Sequence, residues 1–406
     1  MHCGQGLARR KDWRPRSMRI GIDVTSWVNN RGYGRFTRQL VSAMARMAEG
    51  DELVLFIDKA SARTAAISLP RSSVVEVPTN VAPSAAASSR GSRSAADIWR
   101  MSREVSRHDL DAFFFPTAYS WFPLIGGPPS VVTIHDAIAE RFPEMVVPGF
   151  KARTFWRAKL KLAVLQAKTV MTVSEFARRD VARYHNVPFD KIRVAVEAPS
   201  DAYRACPMSE SETELASLGI DSRTGWFVYV GGLSPHKNVP RLVRAFARAV
   251  IGLKNRPLLI LSGPFDDDVF HTDRVSIADE IAALGIGSLV KWAGYLPDES
   301  LSRVLSGAIA LVLPSECEGF GLPAVEAAAC GTAVIATTES PLPQLLEGGG
   351  IFVDPADEDA LTGAILRLAV DESLQGSMGA KAMERAQALS WDDAARAALR
   401  AIREAA

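Results

Sequence analysis

Short runs of apolar and β-branched residues alternate in this sequence with longer segments of helical pattern, and this alternation limits the possible folds more than any other feature. Because each run is followed by a loop or a helix, the pattern predicts parallel sheets covered by helices, an α/β fold. The runs predicted to be strands are residues 19–24, 53–58, 74–77, 112–116, 130–136, 169–174, 192–198, 226–232, 258–263, 290–295, 309–315, 333–337 and 351–355.

The rhythm breaks once, at residues 199–215, where Pro, Ser and acidic residues interrupt it. A chain of 406 residues with 48% hydrophobic composition has enough core-forming material for two domains. We therefore expect one doubly wound, Rossmann-like domain over 18–203 and a second over 204–390. Ligands of such sheets bind beyond the carboxyl ends of the strands, so the cleft between the domains is the expected site.

The charge and cysteine content exclude several classes of function. Lys and Arg number 47 against 46 Asp and Glu, and a net charge of +1 offers no global field for binding nucleic acid. The four cysteines are scattered without zinc-binding spacing, which fits a reducing cytoplasm. No apolar run approaches the roughly 20 residues of a membrane-spanning helix.

Three segments stand apart from the alternation. Residues 1–17 are polar and basic and are predicted to be a disordered arm or sequence upstream of the natural start. The Ser- and Ala-rich residues 82–97 are predicted to be a mobile loop. Residues 150–168 carry six Lys or Arg with interleaved Phe, Trp and Leu, which fits either a helix lying on an anionic membrane or an ordinary surface helix.

Residues 316–326, "ECEGFGLPAVE", place two glutamates around seven uncharged residues. On one continuous helix the two side chains would lie about 80° apart. Pro323 suits the first turn of a helix and Gly331 its end, so Glu318 is predicted in a loop and Glu326 on the helix. The helix N-terminus between them is a ready phosphate site, with a carboxylate on either side to accept hydroxyls. A loop carboxylate and a helix-surface carboxylate are the alternative, which the apolar setting and the paired glycines disfavour.

A second phosphate clamp is predicted at residues 231–246, "GGLSPHKNVPRLVRAF". Gly231 and Gly232 end a strand and allow close approach, Asn238 is placed to cap the next helix, and Lys237 precedes that helix as a point charge. A solvated lysine is the alternative. Two helix N-termini and a lysine suit a diphosphate better than a single phosphate.

Two other motifs are weaker. "GYG" at residues 32–34 suggests a dinucleotide fold, but the third glycine would fall at Thr37. The acidic triplet at residues 266–268 invites a metal site, although a solvated acidic turn fits its loop position better. No metal site is therefore predicted.

Several motifs together resemble family 4 of the retaining glycosyltransferases, which have the two-domain GT-B fold. "PSECEGFGLPAVEAAACGTAVIAT" is similar to that family's signature of two glutamates separated by seven residues. The other motifs, in the family's order, are "NNRGYGRFTRQLV" (29–41), "IHD" (134–136), "TVSEFARRDV" (172–181) and "GGLSPHKN" (231–238). The resemblance also implies that the last helix, about residues 391–406, returns to the first domain.

The resemblance implies a donor site in the second domain. Glu318 would hold hydroxyls of the donor sugar, Glu326 the ribose, and Lys237 the departing diphosphate. The loop at Gly294 and Tyr295 would meet the base through its backbone. The backbone that would hold the phosphate belongs to Gly319, Phe320, Gly321 and Leu322.

The resemblance implies fewer residues in the first domain. His135 would lie beneath the sugar, although its spacing fits a core histidine equally well, and Gly34 would let this domain close on the phosphates. Two positions depart from the family's pattern. Gly232 stands where an arginine is usual, with His236 as a weaker substitute, and "VAVEAPSD" replaces the Pro-Asn-Gly turn at the hinge.

The resulting hypothesis is a retaining, metal-independent hexosyltransferase without a cofactor. Its donor would be a nucleotide diphosphate sugar, with GDP-mannose as the expected example, and its acceptor a glycan or lipid-linked intermediate of surface polysaccharide. It would be cytoplasmic, with peripheral contact at the inner face of the cell membrane if residues 150–168 dock there. A nucleotide-sugar epimerase, a dehydrogenase and a non-catalytic sugar-nucleotide-binding module are the rival hypotheses.

Overall fold

The computed structural model describes residues 17–48, 50–80, 94–147, 149–221, 223–265 and 273–406. The predicted basic arm, apart from its last residue, lies outside the described residues, as do most of the predicted loop at 82–97 and the acidic triplet at 266–268. Among the described helices, none combines the length and the apolar character needed to cross a membrane.

Each predicted strand has a counterpart in the structure. The strands are β1 (Arg19–Asp23), β2 (Glu52–Asp58), β3 (Ser72–Val77), β4 (Ala112–Phe115), β5 (Ser130–Thr133), β6 (Thr169–Thr172), β7 (Ile192–Val194), β8 (Trp226–Val230), β9 (Leu258–Ser262), β10 (Val290–Gly294), β11 (Ala310–Leu313), β12 (Ala333–Thr337) and β13 (Gly350–Val353).

Helices connect these strands. Within the described ranges they are α1 (Gly32–Met47), α2 (Lys59–Ala65), α3 (Ala95–Val105), α4 (Ile138–Arg141), α5 (Pro143–Val146), α6 (Phe150–Gln166), α7 (Glu175–His185), α8 (Met208–Ser217), α9 (Val239–Val250), α10 (Arg274–Ala283), α11 (Asp298–Ser306), α12 (Leu322–Ala329), α13 (Leu342–Leu345), α14 (Glu358–Val370), α15 (Glu372–Gln387) and α16 (Trp391–Ala405), with 3-10 turns at Phe189–Lys191 and Pro235–Lys237.

The strands form two parallel sheets, which confirms the predicted pair of doubly wound units. The first sheet has the order β3-β2-β1-β4-β5-β6-β7 and the second the order β10-β9-β8-β11-β12-β13. In each sheet the chain first moves outward in one direction and then crosses to the other side of the starting strand. Beyond the carboxyl ends of the strands that flank this reversal lies the crevice where α/β proteins bind ligands.

Two strands of the first sheet end earlier than the apolar pattern predicts. The run 130–136 leaves the sheet after Thr133, and the run 192–198 leaves it after Val194. The polar residues that follow, His135 and Glu197, therefore sit in loops at the carboxyl edge. Because both loops face the second sheet, the shortened strands supply side chains to the cleft.

The last helix, α16, packs on the first sheet although it follows the second in sequence. The Trp391 ring of this helix packs edge to face against the Phe36 ring of α1, with ring centroids 5.9 Å apart. Ion pairs join the helix to the same domain, Arg46 with Asp392 at 2.9 Å and Arg403 with the buried Asp51 at 2.5 Å. The chain thus crosses between the two sheets twice.

Candidate functional site

A cleft with a cavity volume of about 390 Å³ lies between the carboxyl edges of the two sheets. This size falls in the range of small-molecule sites. Residues of both sheets line it. Among the residues predicted from the sequence, those that line the cleft are His135, Gly231, Gly232, His236, Lys237, Tyr295, Glu318, Gly319, Phe320, Gly321, Leu322 and Glu326.

Two predicted residues, Gly34 and Gly294, do not line the cleft. Gly34 is buried in α1, where an added Cβ would lie 2.0 Å from the Asn29 carbonyl oxygen, so its small size serves packing within the first domain. Gly294 turns the chain with φ +66°, and its carbonyl accepts from the Gly263 amide at 2.9 Å. The chain neighbours of both glycines, Tyr33, Arg35 and Tyr295, line the cleft, and the predicted roles of Gly34 and Gly294 toward the ligand stay predictions.

Helix α12 begins as the sequence predicts. Gly321 takes the left-handed conformation with φ +87° immediately before the helix, Pro323 follows in its first turn, and Gly331 with φ +79° comes just after its end. Gly319 must be glycine for a different reason, because an added Cβ would lie 2.8 Å from the His135 carbonyl oxygen. The first amides of a helix have no intrahelical partner, so the loop aims donors into the cleft.

Glu318 lies in the loop before this helix and is 7% exposed. Its Oε1 accepts from Lys237 Nζ at 2.7 Å and from Ser315 Oγ at 2.6 Å. Its backbone amide donates to the Glu339 carbonyl at 3.0 Å. A carboxylate held through one oxygen keeps the other for a ligand hydroxyl.

The second clamp differs from the prediction in its capping. Gly231, with φ +155°, follows β8, and a 3-10 turn over Pro235–Lys237 separates it from α9. Asn238 precedes the helix in a left-handed conformation and its side chain does not cap α9; its Nδ2 donates to the Pro355 carbonyl at 3.4 Å instead. Lys237 therefore stands on the turn rather than on a capped helix start.

His236 lines the cleft next to Lys237 in buried surroundings. Burial, with a further contribution from Lys237, lowers the pKa of His236 to about 3. Its Nδ1 is buried without a hydrogen-bond partner. The lowered pKa disfavours the charged imidazole, and the role of His236 as a partial substitute for an arginine at Gly232 stays a prediction.

His135 is fixed in the cleft from two sides. Its Nε2 donates to the Pro116 carbonyl at 3.0 Å, and its Nδ1 lies 3.6 Å from Oε1 of the buried Glu197. The Phe36 ring packs edge-on against it, with centroids 4.6 Å apart. Glu197 also lines the cleft. Sequence reasoning missed this carboxylate because it was read as part of a strand.

Glu326 projects from α12 and is 2% exposed. Its Oε1 is ion-paired with Arg35 of α1, which also pairs with Asp298 of α11. Burial raises the pKa of Glu326 to about 7, and Arg35 opposes that rise. Arg35 was missed in the sequence, where the only signal is its place directly after Gly34 in "GYGRF".

Two further contacts join the domains around the glycine loop. Ser174 Oγ, which also caps α7, donates to the Gly319 carbonyl at 2.6 Å. Arg141 of the first domain pairs with the Glu339 carboxylate, and the backbone carbonyl of Glu339 accepts from the Glu318 amide. The loop that would receive a phosphate is thus shaped by side chains from both domains.

The arrangement combines a carboxylate at each end, a helix N-terminus between them and one lysine. Such a set can bind a ligand with hydroxyls at both ends and an anion in the middle. Within the part of the chain that the structure describes, no three His, Cys, Asp or Glu side chains are grouped so that they could hold a metal ion.

Two family models match the chain. The model for glycosyl transferases group 1 matches residues 210–385, which include both phosphate clamps. The model for glycosyltransferase family 4 matches residues 30–195, which include α1 and His135. The two matches divide the chain as its two sheets do.

Curated relatives support the same assignment. Over 266 residues the chain is 30% identical to O-antigen chain mannosyltransferase B of Escherichia coli, covering 65% of this chain and 67% of that protein. It is 34% identical over 212 residues to a D-inositol 3-phosphate glycosyltransferase of Corynebacterium jeikeium, covering 51% of this chain and 50% of the relative. It is 26% identical over 249 residues to O-antigen chain mannosyltransferase RfbU of Salmonella typhimurium, covering 61% of this chain and 63% of that protein.

Solved structures share the fold over nearly the whole chain. A sucrose-phosphate synthase of Thermosynechococcus elongatus has a TM-score of 0.75 at 20% identity, covering 95% of this chain and 98% of that one. Anabaena HepE in complex with UDP and glucose has a TM-score of 0.72 at 18% identity, covering 95% and 100%. WaaG, a glycosyltransferase involved in lipopolysaccharide biosynthesis, has a TM-score of 0.71 at 16% identity, covering 94% and 99%. The two-sheet architecture is that of the GT-B enzymes, and with the family matches it shows that this chain belongs to family 4 of the glycosyltransferases.

Proposed function

We propose that this protein is a retaining hexosyltransferase whose donor, a nucleotide diphosphate sugar, lies along α12. The observation that carries the proposal is the placement of Glu318 and Glu326 at either end of one helix N-terminus, with Lys237 beside the first. The sugar hydroxyls would meet Glu318, the diphosphate would meet the backbone of residues 319–322 with Lys237, and the ribose would meet Glu326.

The transferred sugar is proposed to be mannose or a related hexose. Two of the relatives are O-antigen chain mannosyltransferases, and WaaG acts in lipopolysaccharide biosynthesis. HepE binds UDP and glucose, and other relatives are inositol 3-phosphate glycosyltransferases. We therefore propose GDP-mannose first, with UDP-glucose as the alternative donor, and a glycan or lipid-linked acceptor of surface polysaccharide.

The proposed reaction retains the configuration at the sugar without a covalent intermediate. The bond between sugar C1 and the phosphate oxygen breaks, and its electron pair goes to the diphosphate. The acceptor hydroxyl attacks C1 from the face that the diphosphate leaves, and its proton goes to the departing phosphate oxygen. Lys237 and the helix N-terminus stabilise the charge that develops on the leaving group.

A double displacement is the alternative, because the structure brings a buried carboxylate into the cleft. Glu197 lines the cavity next to His135 and could serve as a nucleophile toward C1. The variant Glu197→Gln distinguishes the front-face reaction from the double displacement. Front-face transfer keeps substantial turnover in this variant, whereas removal of a nucleophile abolishes turnover and leaves donor binding unchanged.

The protein is also proposed to contact the inner face of the cell membrane through α6. Three large apolar side chains of this helix are exposed to solvent: Phe155 is 69% exposed, Leu162 56% and Leu165 69%. Lysines and arginines surround them on the same helix. Apolar side chains with basic neighbours suit an anionic lipid surface.

Vesicle co-sedimentation tests the membrane contact. The protein should sediment with phosphatidylglycerol vesicles and be released as salt rises, given a screening length of about 8 Å at physiological ionic strength. Phe155→Ser with Leu162→Ser should abolish sedimentation. The matched control is Val275→Ser, which removes an equally exposed apolar side chain from the second domain. Equal sedimentation of both variants would make α6 an ordinary surface helix.

A thermal-shift screen across GDP-, UDP- and ADP-sugars tests the donor assignment, because a ligand that binds the native state raises its melting temperature with occupancy. The best donor is then incubated alone and with glycan acceptors. Transfer only when acceptor is present supports the proposal. Conversion of the donor alone to an epimer would make the protein an epimerase, and binding without turnover would make it a binding module. NAD and NADP are included in the screen, and a shift with these cofactors alone would favour the dehydrogenase.

A further inference from the structure

Arg35 connects the two domains at the Glu326 end of the cleft. It belongs to α1 of the first domain and lines the cavity, and its side chain is 15% exposed. One guanidinium nitrogen, Nη1, pairs with Oε1 of Glu326 and donates to the Tyr203 hydroxyl at 3.0 Å. The other, Nη2, pairs with Asp298.

The partners of Arg35 form one network around its guanidinium. The Tyr203 hydroxyl donates to Asp298 Oδ1 at 3.1 Å, while Glu326 is held by Arg35. Glu326 and Asp298 come from two helices of the second domain, and Tyr203 lies where the chain passes from the first sheet to the second. A planar fork of donors can span two carboxylates in this way, whereas an ammonium group acts at one point.

This network decides the state of the Glu326 carboxylate. A buried carboxylate without a cation loses its charge, because desolvation disfavours the ionised form. The titratable groups that face Glu326 are Arg35, Tyr203, Asp298, Glu197 and Cys330, and Arg35 is the cation among them. An ionised carboxylate accepts hydrogen bonds from ribose hydroxyls more strongly than its protonated form.

We propose that Arg35 is a positioning residue for the donor: it reaches across from the first domain to hold Glu326 oriented and ionised for the ribose. The pair uses only Oε1 of Glu326, so the second carboxylate oxygen is left for a hydroxyl. The consequence is that nucleotide affinity depends on closure of the two domains, since opening them withdraws the cation. This inference rests on the proposed ribose contact of Glu326.

A double-mutant cycle tests the coupling. GDP and UDP are each titrated by calorimetry into the full chain, its Arg35→Met variant, its Glu326→Gln variant and the double variant. Arg35→Met should weaken binding of the better nucleotide about tenfold to hundredfold. In the Glu326→Gln background the same change should cost no more than about threefold, because the group on which Arg35 acts is gone. Arg35→Lys should recover part of the loss.

The control is Arg46→Met, three turns along the same helix. Arg46 pairs with Asp392 of α16 on the exposed surface of the first domain, so its loss should show no coupling to Glu326. Melting temperatures of all variants are measured alongside. If Arg35→Met does not fold, Arg35→Gln replaces it in the cycle.

The pH profile separates positioning from a purely structural role. Glu326 has a pKa raised to about 7, so nucleotide affinity of the unmodified protein should rise between about pH 6 and pH 8 as this carboxyl loses its proton. Removal of Arg35 takes away the influence that lowers this pKa, so the rise should move to higher pH in Arg35→Met.

The outcomes distinguish this inference from the proposed function. Equal losses for Arg35→Met in both Glu326 backgrounds, or an unshifted pH profile, would overturn the positioning role and leave the donor site intact. If Glu326→Gln alone binds nucleotide like the unmodified protein, the ribose assignment itself fails and the inference fails with it.

Discussion

The two glutamates that flank the glycine loop are held in different ways. Glu318 is anchored by Lys237 and Ser315, both from its own domain. Glu326 is anchored by Arg35, which comes from the other domain. The side chains that anchor Glu318 therefore lie within the second domain, whereas Glu326 is anchored only when the two domains meet.

The two kinds of anchoring are expected to have different effects on the protein. Contacts within one domain preorganise a group without any dependence on domain motion, and preorganised charges contribute most to stabilising a transition state. A contact across a cleft adds a requirement for closure, which links binding to conformation. We therefore expect the rate of sugar transfer to depend on Glu318 and the affinity for the nucleotide to depend on Glu326.

The largest expected effect is that of Glu318→Gln on turnover. Glutamine keeps the size of the side chain but removes the charge that orients the sugar and pairs with Lys237. We expect kcat to fall about hundredfold or more, with affinity for the free nucleotide diphosphate nearly unchanged. The matched control is Glu316→Gln, which removes a neighbouring carboxylate 3.6 Å from Arg241. Similar losses in both variants would remove the special role of Glu318.

Glu326→Gln should lower the affinity for the nucleotide more than it lowers turnover. The ribose is present in both the donor and the free nucleotide, so both should bind about tenfold to hundredfold less tightly, while kcat at saturating donor changes less. Calorimetry with nucleotide diphosphate and steady-state kinetics with the donor measure the two quantities. A loss confined to kcat would exchange the roles of the two glutamates.

The same comparison explains what the sequence could predict. Most residues predicted for the second-domain site line the cleft, because Glu318, the glycine loop and Glu326 are neighbours in the chain, between a strand and a helix with clear boundaries. Every strand in the described ranges has a predicted counterpart, because runs of apolar residues in the sequence reflect burial in a sheet. Errors inside the site were local, such as Asn238, whose side chain turns to Pro355 instead of capping its helix.

The first-domain contributions could not be predicted in this way. Arg35 and Glu326 are 291 positions apart in the chain, and Ser174 and Gly319 are 145 apart. No spacing rule connects residues at such separations, because the contact depends on how two sheets face each other. Glu197 was hidden for a related reason: an apolar run predicts a strand but not the residue at which the chain leaves the sheet.

A smaller effect is expected at the inter-domain contact with the glycine loop. Ser174→Ala removes the donor to the Gly319 carbonyl and should lower kcat/KM several-fold by loosening the phosphate loop. It also removes the cap of α7, which costs about 1 kcal/mol of stability. Ser390→Ala is the control, because it removes an equivalent cap from α16 without an inter-domain contact. If Ser390→Ala lowers kcat/KM as much, stability alone explains the loss.

The smallest expected effect is that of a chelator on transfer. In the proposed site the diphosphate is neutralised by Lys237, by backbone amides of the glycine loop and by the N-terminus of α12, and none of these groups depends on a divalent ion. EDTA should therefore leave most of the transfer activity intact, measured as product formed per unit time at saturating donor. Complete loss, restored by manganese or magnesium, would show that an ion bridges the diphosphate. In that case Lys237→Met should cost little, because the ion would already supply the charge that the lysine is proposed to provide.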